Sequence, residues 1–316
     1  MTSLISQSSE TFIGREKELE LLVRTLDQVQ SGTGQITVLS GEPGIGKTRL
    51  ANELASQAGP NGIQVLWGWC YEHQGAPHYW PYVHPFRKLI ESTETDQLRS
   101  QIGPEAASIA EIIPELWEGL PDLPQSPIAE PDQARFRLFN SLATFLKNAA
   151  SNQPIFLVID DLHWADESFL LLLEFLAMEL ANSPVLLLGI YRDAGINAGH
   201  PLSGVLGNLV RVPHFKAIRL EGLTQGQIGE FVEANAGLAL PDEVLDMIQR
   251  RTRGNPLFVN EVVRLINPED LTNDRAWANE IPVAVRDAIG KRLAHLSPAC
   301  KQILQTASVV GREFEF

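Results

Sequence analysis

The residues Gly41-Glu42-Pro43-Gly44-Ile45-Gly46-Lys47-Thr48 fit the pattern G-x-x-x-x-G-K-[ST] without gap or substitution, and this segment limits the possible folds more than any other. Such a loop must leave a strand and enter a helix. The run Ile36 to Ser40 is short, β-branched and apolar, as a strand buried on both faces requires, and from Thr48 onward Leu50, Leu54 and Ala58 keep one helical face. Strand, glycine loop and helix are therefore predicted in that order. The glycines allow the backbone to aim successive N–H groups inward, toward phosphate oxygens at the positive end of the following helix. Lys47 is the expected point charge for the β- and γ-phosphates, and the Thr48 hydroxyl the expected Mg²⁺ ligand. Nucleotide contacts are expected from Gly41, Glu42, Pro43, Gly44, Ile45, Gly46, Lys47 and Thr48, with Arg49 immediately after them.

A second apolar strand, Pro154 to Ile159, ends in the paired carboxylates Asp160 and Asp161. In a parallel sheet function gathers at the C-terminal strand ends. Asp160 is accordingly placed in the Mg²⁺ shell, and Asp161 is assigned to orient or activate an attacking water.

At 316 residues and 44% hydrophobic, the chain can bury a large core and is expected to hold two or more domains. Its apolar stretches fall short of the ~18 residues that cross a bilayer, and residues 1–10 form a polar tail, so a soluble cytoplasmic protein without membrane attachment is expected. The two cysteines, Cys70 and Cys300, lie far apart and point to a reducing compartment. Formal charge is 25 minus 39, or −14, which argues against the whole surface docking on nucleic acid. Cys70, Glu72, His73, His78 and His84 cluster in sequence, but their spacing is irregular and interrupted by proline, so they read as loop residues instead of a zinc site.

Helical spacing covers Arg15 to Gln30, Asp132 to Ala150 and Glu167 to Leu180, with strands at Gln64 to Trp69, Val185 to Tyr191 and Lys216 to Leu220. Residues 71–131 carry nine of the twenty prolines and read as an insertion of short helices broken by turns. The fold class is α/β, a doubly wound parallel sheet of about five strands of the P-loop NTPase type, spanning 11–222. Three helical segments at Gln225 to Glu233, Asp242 to Arg251 and Leu257 to Ile266 predict a helical lid subdomain over 223–280. Two more helices are expected between Pro282 and Val310. The ending Gly311 to Phe316, with two aromatics, suggests a piece of a longer chain.

Four blocks then carry a resemblance: Phe12-Ile13-Gly14-Arg15-Glu16, the phosphate loop, Asp160-Asp161-Leu162-His163-Trp164-Ala165-Asp166, and Arg253-Gly254-Asn255-Pro256-Leu257-Phe258-Val259. Together they resemble the signal-transduction ATPases with numerous domains (STAND), of the AAA+-like division, as found in large LuxR-type bacterial regulators and cyclase-linked signalling proteins. The resemblance implies that Phe12, Ile13 and Arg15 line the adenine pocket, that Pro256 closes it from the lid, and that Arg192, after the strand ending Gly189-Ile190-Tyr191, contacts the γ-phosphate and joins Lys47 and Asp161 in catalysis. On their own residues, without the resemblance, Phe12 and Ile13 read as an apolar staple ahead of a helix. The resemblance further implies that 281–316 begins a winged-helix domain, that ATP, ADP and Mg²⁺ are the ligands, and that an unidentified protein or small-molecule inducer acts on the parent protein. A nucleotide-dependent oligomer is compatible with it, and DNA contact is expected only through further domains.

The expected function is a regulatory ATPase whose slow ATP hydrolysis drives a conformational switch. The alternatives are a DNA-acting AAA+ initiator or loader, and a small-molecule P-loop phosphotransferase that shares the same loop and magnesium logic.

Overall fold

The computed structural model describes residues 12–72, 79–103, 106–123, 129–263 and 297–310. The chain divides into two compact units, one formed by 15–221 and the other by 1–14 with 222–316. The first unit opens with α1 (Glu16–Gln30), then β1 (Gln35–Ser40), α2 (Lys47–Ala58) and β2 (Gln64–Trp69). Four helices follow in the proline-rich region: α3 (Trp80–Glu91), α4 (Thr95–Ile102), α5 (Ala106–Ala110) and α6 (Glu115–Gly119). Alternation then resumes with α7 (Pro131–Asn152), β3 (Ile155–Asp160), α8 (Glu167–Glu179), β4 (Val185–Ile190), α9 (Pro201–Leu209) and β5 (Phe215–Arg219).

The five strands form one sheet in the order β2-β3-β4-β1-β5, every pairing parallel. All residues of β1, β3 and β4 are buried, whereas the edge strands β2 and β5 are partly exposed, which matches the continuous apolar runs of the three central strands. The predicted α/β class and strand number hold. What the sequence pattern did not contain is the order: β4 lies between the strand that feeds the glycine loop and the strand that ends in the acids.

The main core joins the sheet to the surrounding helices. Tyr82, Phe86, Phe145 and Phe169 are fully buried in it, and Tyr82 stacks on Phe169 with ring centroids 4.5 Å apart. Thus α3, inside the proline-rich region, and α7, which follows it, belong to the same apolar body as the sheet. Among the described residues no helix is long and apolar enough to cross a membrane.

In the second unit α10 (Gln225–Ala236), α11 (Asp242–Thr252) and α12 (Pro256–Val263) bury Ile228, Val232, Leu245, Ile248 and Val259 against one another. Thr224 and Gln227 form a capping box at the start of α10. The Arg253-Gly254-Asn255-Pro256 block is the α11–α12 turn: Arg253 and Gly254 take positive φ, and the buried Asn255 accepts from Leu257 N–H at 3.1 Å. A last helix, α13 (Pro298–Val310), is described. Residues 264–280 of the expected lid, and 281–296 and 311–316 of the expected winged-helix region, lie outside the described residues, as do His73 and His78.

Candidate functional site

The site is assembled by three neighbouring strand ends. Strand β1 runs directly into the glycine loop, β4 delivers Arg192, and β3 delivers Asp160 and Asp161. Because β4 is the central one of the three, its arginine emerges between the loop and the acids.

Within the loop Gly41, Gly44 and Gly46 all have positive φ. At Gly46 the value is 105°, and an added Cβ would meet no protein atom within 4 Å, so backbone conformation and not crowding demands glycine there. Lys47 opens α2 and is only 8% exposed. Its Nζ donates to Gly41 O at 2.8 Å and Glu42 O at 2.9 Å, so the lysine lies across the mouth of its own loop. Burial pulls the Lys47 pKa below its ordinary value, and the nearby Arg192 lowers it further, while Asp193, Asp160 and Asp161 act in the opposite sense.

Thr48 and Asp160 are joined across 112 positions of sequence: the Thr48 hydroxyl donates to Asp160 Oδ2 at 2.8 Å. Asp160 is 6% exposed, and burial raises its carboxyl pKa, with the Thr48 bond opposing that shift and Asp161 reinforcing it. Its other oxygen, Oδ1, accepts from the Asp161 N–H at 2.8 Å. Asp161 itself stands at φ 58°, in the left-handed region that aspartate tolerates better than most residues, and this bend turns the chain from β3 into the short 3₁₀ turn Leu162–Trp164. The bend brings Asp161 Oδ1 to 3.5 Å from Arg192 Nη2 and 3.7 Å from His163 Nε2. The His163 ring is buried, and burial depresses its pKa, so the imidazole is neutral at pH 7. Asp166, the last residue of that block, caps α8 by accepting from Phe169 N–H at 2.8 Å.

This donor set fits a nucleotide phosphate with Mg²⁺. An oxygen-only pair, hydroxyl and carboxylate, suits a hard cation, and a buried carboxylate with a raised pKa is the group that a divalent charge would relieve. Thr48 and Asp160 would hold the ion, and the loop with Lys47 would hold the phosphates. Among the described residues no group of three histidine, cysteine or acidic side chains stands within metal-binding reach. Cys70 is buried beside the acids, and its thiol pKa is pushed up by burial.

Arg49 reaches along its own helix to Glu53 at 3.7 Å. The Arg15 guanidinium is buried and bonded to the Ile45 carbonyl at 3.2 Å, to the Glu221 carbonyl, and to Glu18 Oε1 at 3.3 Å. Phe12 and Ile13 are half-buried, and Pro256 is half-buried at the first position of α12. One charged residue escaped the sequence reading: Asp193 accepts from Arg219 Nε at 2.9 Å and acts on Lys47 more strongly than either site aspartate does. Its only signal in the sequence is adjacency to Arg192.

The family described as AAA ATPase domain matches residues 11–188. An uncharacterized protein of Rhizobium meliloti (strain 1021) is 23% identical over 95% of this chain, which spans 30% of that protein's length. Among solved structures, a Pyrococcus horikoshii STAND protein with a tetratricopeptide repeat sensor is similar over 84% of this chain and 32% of its own, at 17% identity and a TM-score of 0.49. The Aeropyrum pernix ORC1 protein, solved in complex with DNA, is similar over 96% of this chain and 73% of its own, at 16% identity and a TM-score of 0.48.

Proposed function

The chain belongs to the AAA ATPase domain family, and from that premise we propose that it is the ATP-binding and slowly ATP-hydrolysing switch module of a STAND-type regulator of signalling or transcription. The observation that carries this reading is the 2.8 Å bond between the Thr48 hydroxyl and the Asp160 carboxylate, which joins the phosphate loop to the acid strand as a metal-dependent phosphoryl site requires. When bound, Mg²⁺ supplies charge neutralisation at the phosphate oxygens. Lys47 leaves its carbonyl partners for the β- and γ-phosphates. Asp161 orients the attacking water, and Arg192, 3.5 Å from its carboxylate, reaches the γ-phosphate. Phe12, Ile13 and Pro256 keep their proposed places at adenine on the strength of the sequence resemblance.

Because the chain spans about a third of the STAND protein and of the Rhizobium protein, the inducer, the output and any nucleotide-dependent assembly are proposed to belong to a longer protein. The test is phosphate release from ATP by the wild type and by Asp161→Asn. Asparagine keeps the left-handed backbone and removes the charge. The variant is expected to bind ATP·Mg²⁺ within about threefold of the wild type and to lose at least ~100-fold in turnover. Undiminished turnover refutes the assignment. Turnover that needs an added acceptor metabolite indicates a phosphotransferase, and salt-dependent duplex binding by the chain indicates an initiator or loader.

A further inference from the structure

Arg15 is the first residue of the sheet unit, and its side chain is 7% exposed. Nη2 donates one hydrogen to the carbonyl of Ile45, inside the phosphate loop, and the other to the carbonyl of Glu221, the last residue of the unit, while Nη1 meets Glu18 Oε1 at 3.3 Å. One planar fork thus ties the loop to the two places where the chain enters and leaves the sheet unit, 14/15 and 221/222. A lysine ammonium could serve both carbonyls from one nitrogen, as Lys47 does with its own pair, but the two-nitrogen fork of arginine also presents Nη1 to Glu18.

The consequence for the loop follows from peptide geometry. The Ile45–Gly46 peptide is trans and planar, so its N–H, which belongs to Gly46, points opposite to the carbonyl that Arg15 holds. A buried cation donating to that carbonyl fixes the plane of the peptide. It also polarises the unit, so that the Gly46 N–H becomes a stronger donor on the face away from Arg15. Gly46, with φ 105°, is where the loop turns into α2. We infer that Arg15 is a positioning residue for phosphate binding, a brace that orients and polarises the Ile45–Gly46 peptide of the loop, in place of a residue that recognises the adenine base. The inference rests on the reading of Gly41 to Thr48 as a site for nucleotide phosphates.

The experiment compares wild type, Arg15→Gln and Arg15→Lys in the 316-residue chain. ATP·Mg²⁺ binding is titrated calorimetrically for Kd and stoichiometry, and inorganic triphosphate, which has no base, is measured by displacement of labelled ATP. Arg15→Gln is expected to weaken ATP and triphosphate alike, each by about tenfold, at unchanged stoichiometry, with Arg15→Lys recovering part of the loss. Weaker ATP binding with unchanged triphosphate binding would make Arg15 a base contact and overturn the inference. Unchanged Kd for both ligands overturns it too, as does a loss confined to stoichiometry, which marks a folding role. If the wild type binds neither ligand, the phosphate-site reading falls and takes the brace with it, whereas wild-type binding with an indifferent Arg15→Gln removes the brace alone.

Discussion

Asp160 is a carboxylate that the fold keeps ionisable at a cost. Burial raises its pKa above the ordinary 3.8, so the folded state holds the proton to higher pH than the unfolded state does. Its contribution to stability is fully present below about 3.8 and is lost as pH rises through the raised folded value. At pH 7 the ionised side chain is therefore a liability in the ligand-free protein. Asp160→Asn, whose amide oxygen can accept from the Asp161 N–H while its NH2 donates to the Thr48 hydroxyl, is expected to raise the thermal unfolding midpoint at pH 7 by about 2–4 °C for each kcal/mol recovered, while abolishing turnover. The gain should shrink as the pH approaches 4, and a midpoint that falls at pH 7 contradicts this reading of Asp160. His163 titrates with the opposite sign. Its depressed pKa lets the unfolded state take a proton first, so stability falls as pH drops below 6.5. At this scale Lys47, Thr48, Asp160 and Asp161 were legible because a spaced motif and a strand end announce them. The partners of Arg15 were not, because Ile45 and Glu221 accept through backbone carbonyls, which carry no residue signature.

Between elements, β2 and α3 approach closely at Gly68. A Cβ on Gly68 would lie 2.1 Å from the Pro81 carbonyl and 2.9 Å from Ile159 Cδ1, so no side chain fits between strand and helix. Pro85, inside α3, has no N–H with which to bond Pro81 O, and that carbonyl is the one facing Gly68. Gly68→Ala is expected to cost about 1–3 kcal/mol in urea unfolding, and a loss below a few tenths would show that the helix can retreat. In the other unit Thr224→Ala removes half of the α10 capping box and should cost about 1 kcal/mol, measurable as a loss of local hydrogen-exchange protection. The central strands were readable from continuous apolar runs and α10 from the helical spacing of its residues. Two helices were harder to read. The prolines Pro81 and Pro85 disguised α3, whose twelve residues are continuous because Pro81 stands in the first turn. Helix α9 carries Gly204 and Gly207, which lower its intrinsic propensity, and it folds through burial of Leu202, Val205 and Leu209.

At the scale of the molecule, parallel strands, a loop at the end of β1 and acids at the end of β3 followed from sequence, but their convergence with Arg192 depends on β4 inserting between them. Strand order is a matter of long-range pairing and leaves no local mark. A ligand that binds only the folded protein must stabilise it by mass action, so ATP·Mg²⁺ at a hundred times its Kd is expected to add about 2.7 kcal/mol to the unit that binds it. That gain should vanish with EDTA if Thr48 and Asp160 hold the metal. The most direct measurement is calorimetric titration of ATP·Mg²⁺ into the wild type and Lys47→Ala. One site per chain is expected in the wild type, with affinity reduced about a hundredfold or more in the variant. Equal affinity in the two proteins would mean that Gly41 to Thr48 is not where the nucleotide binds.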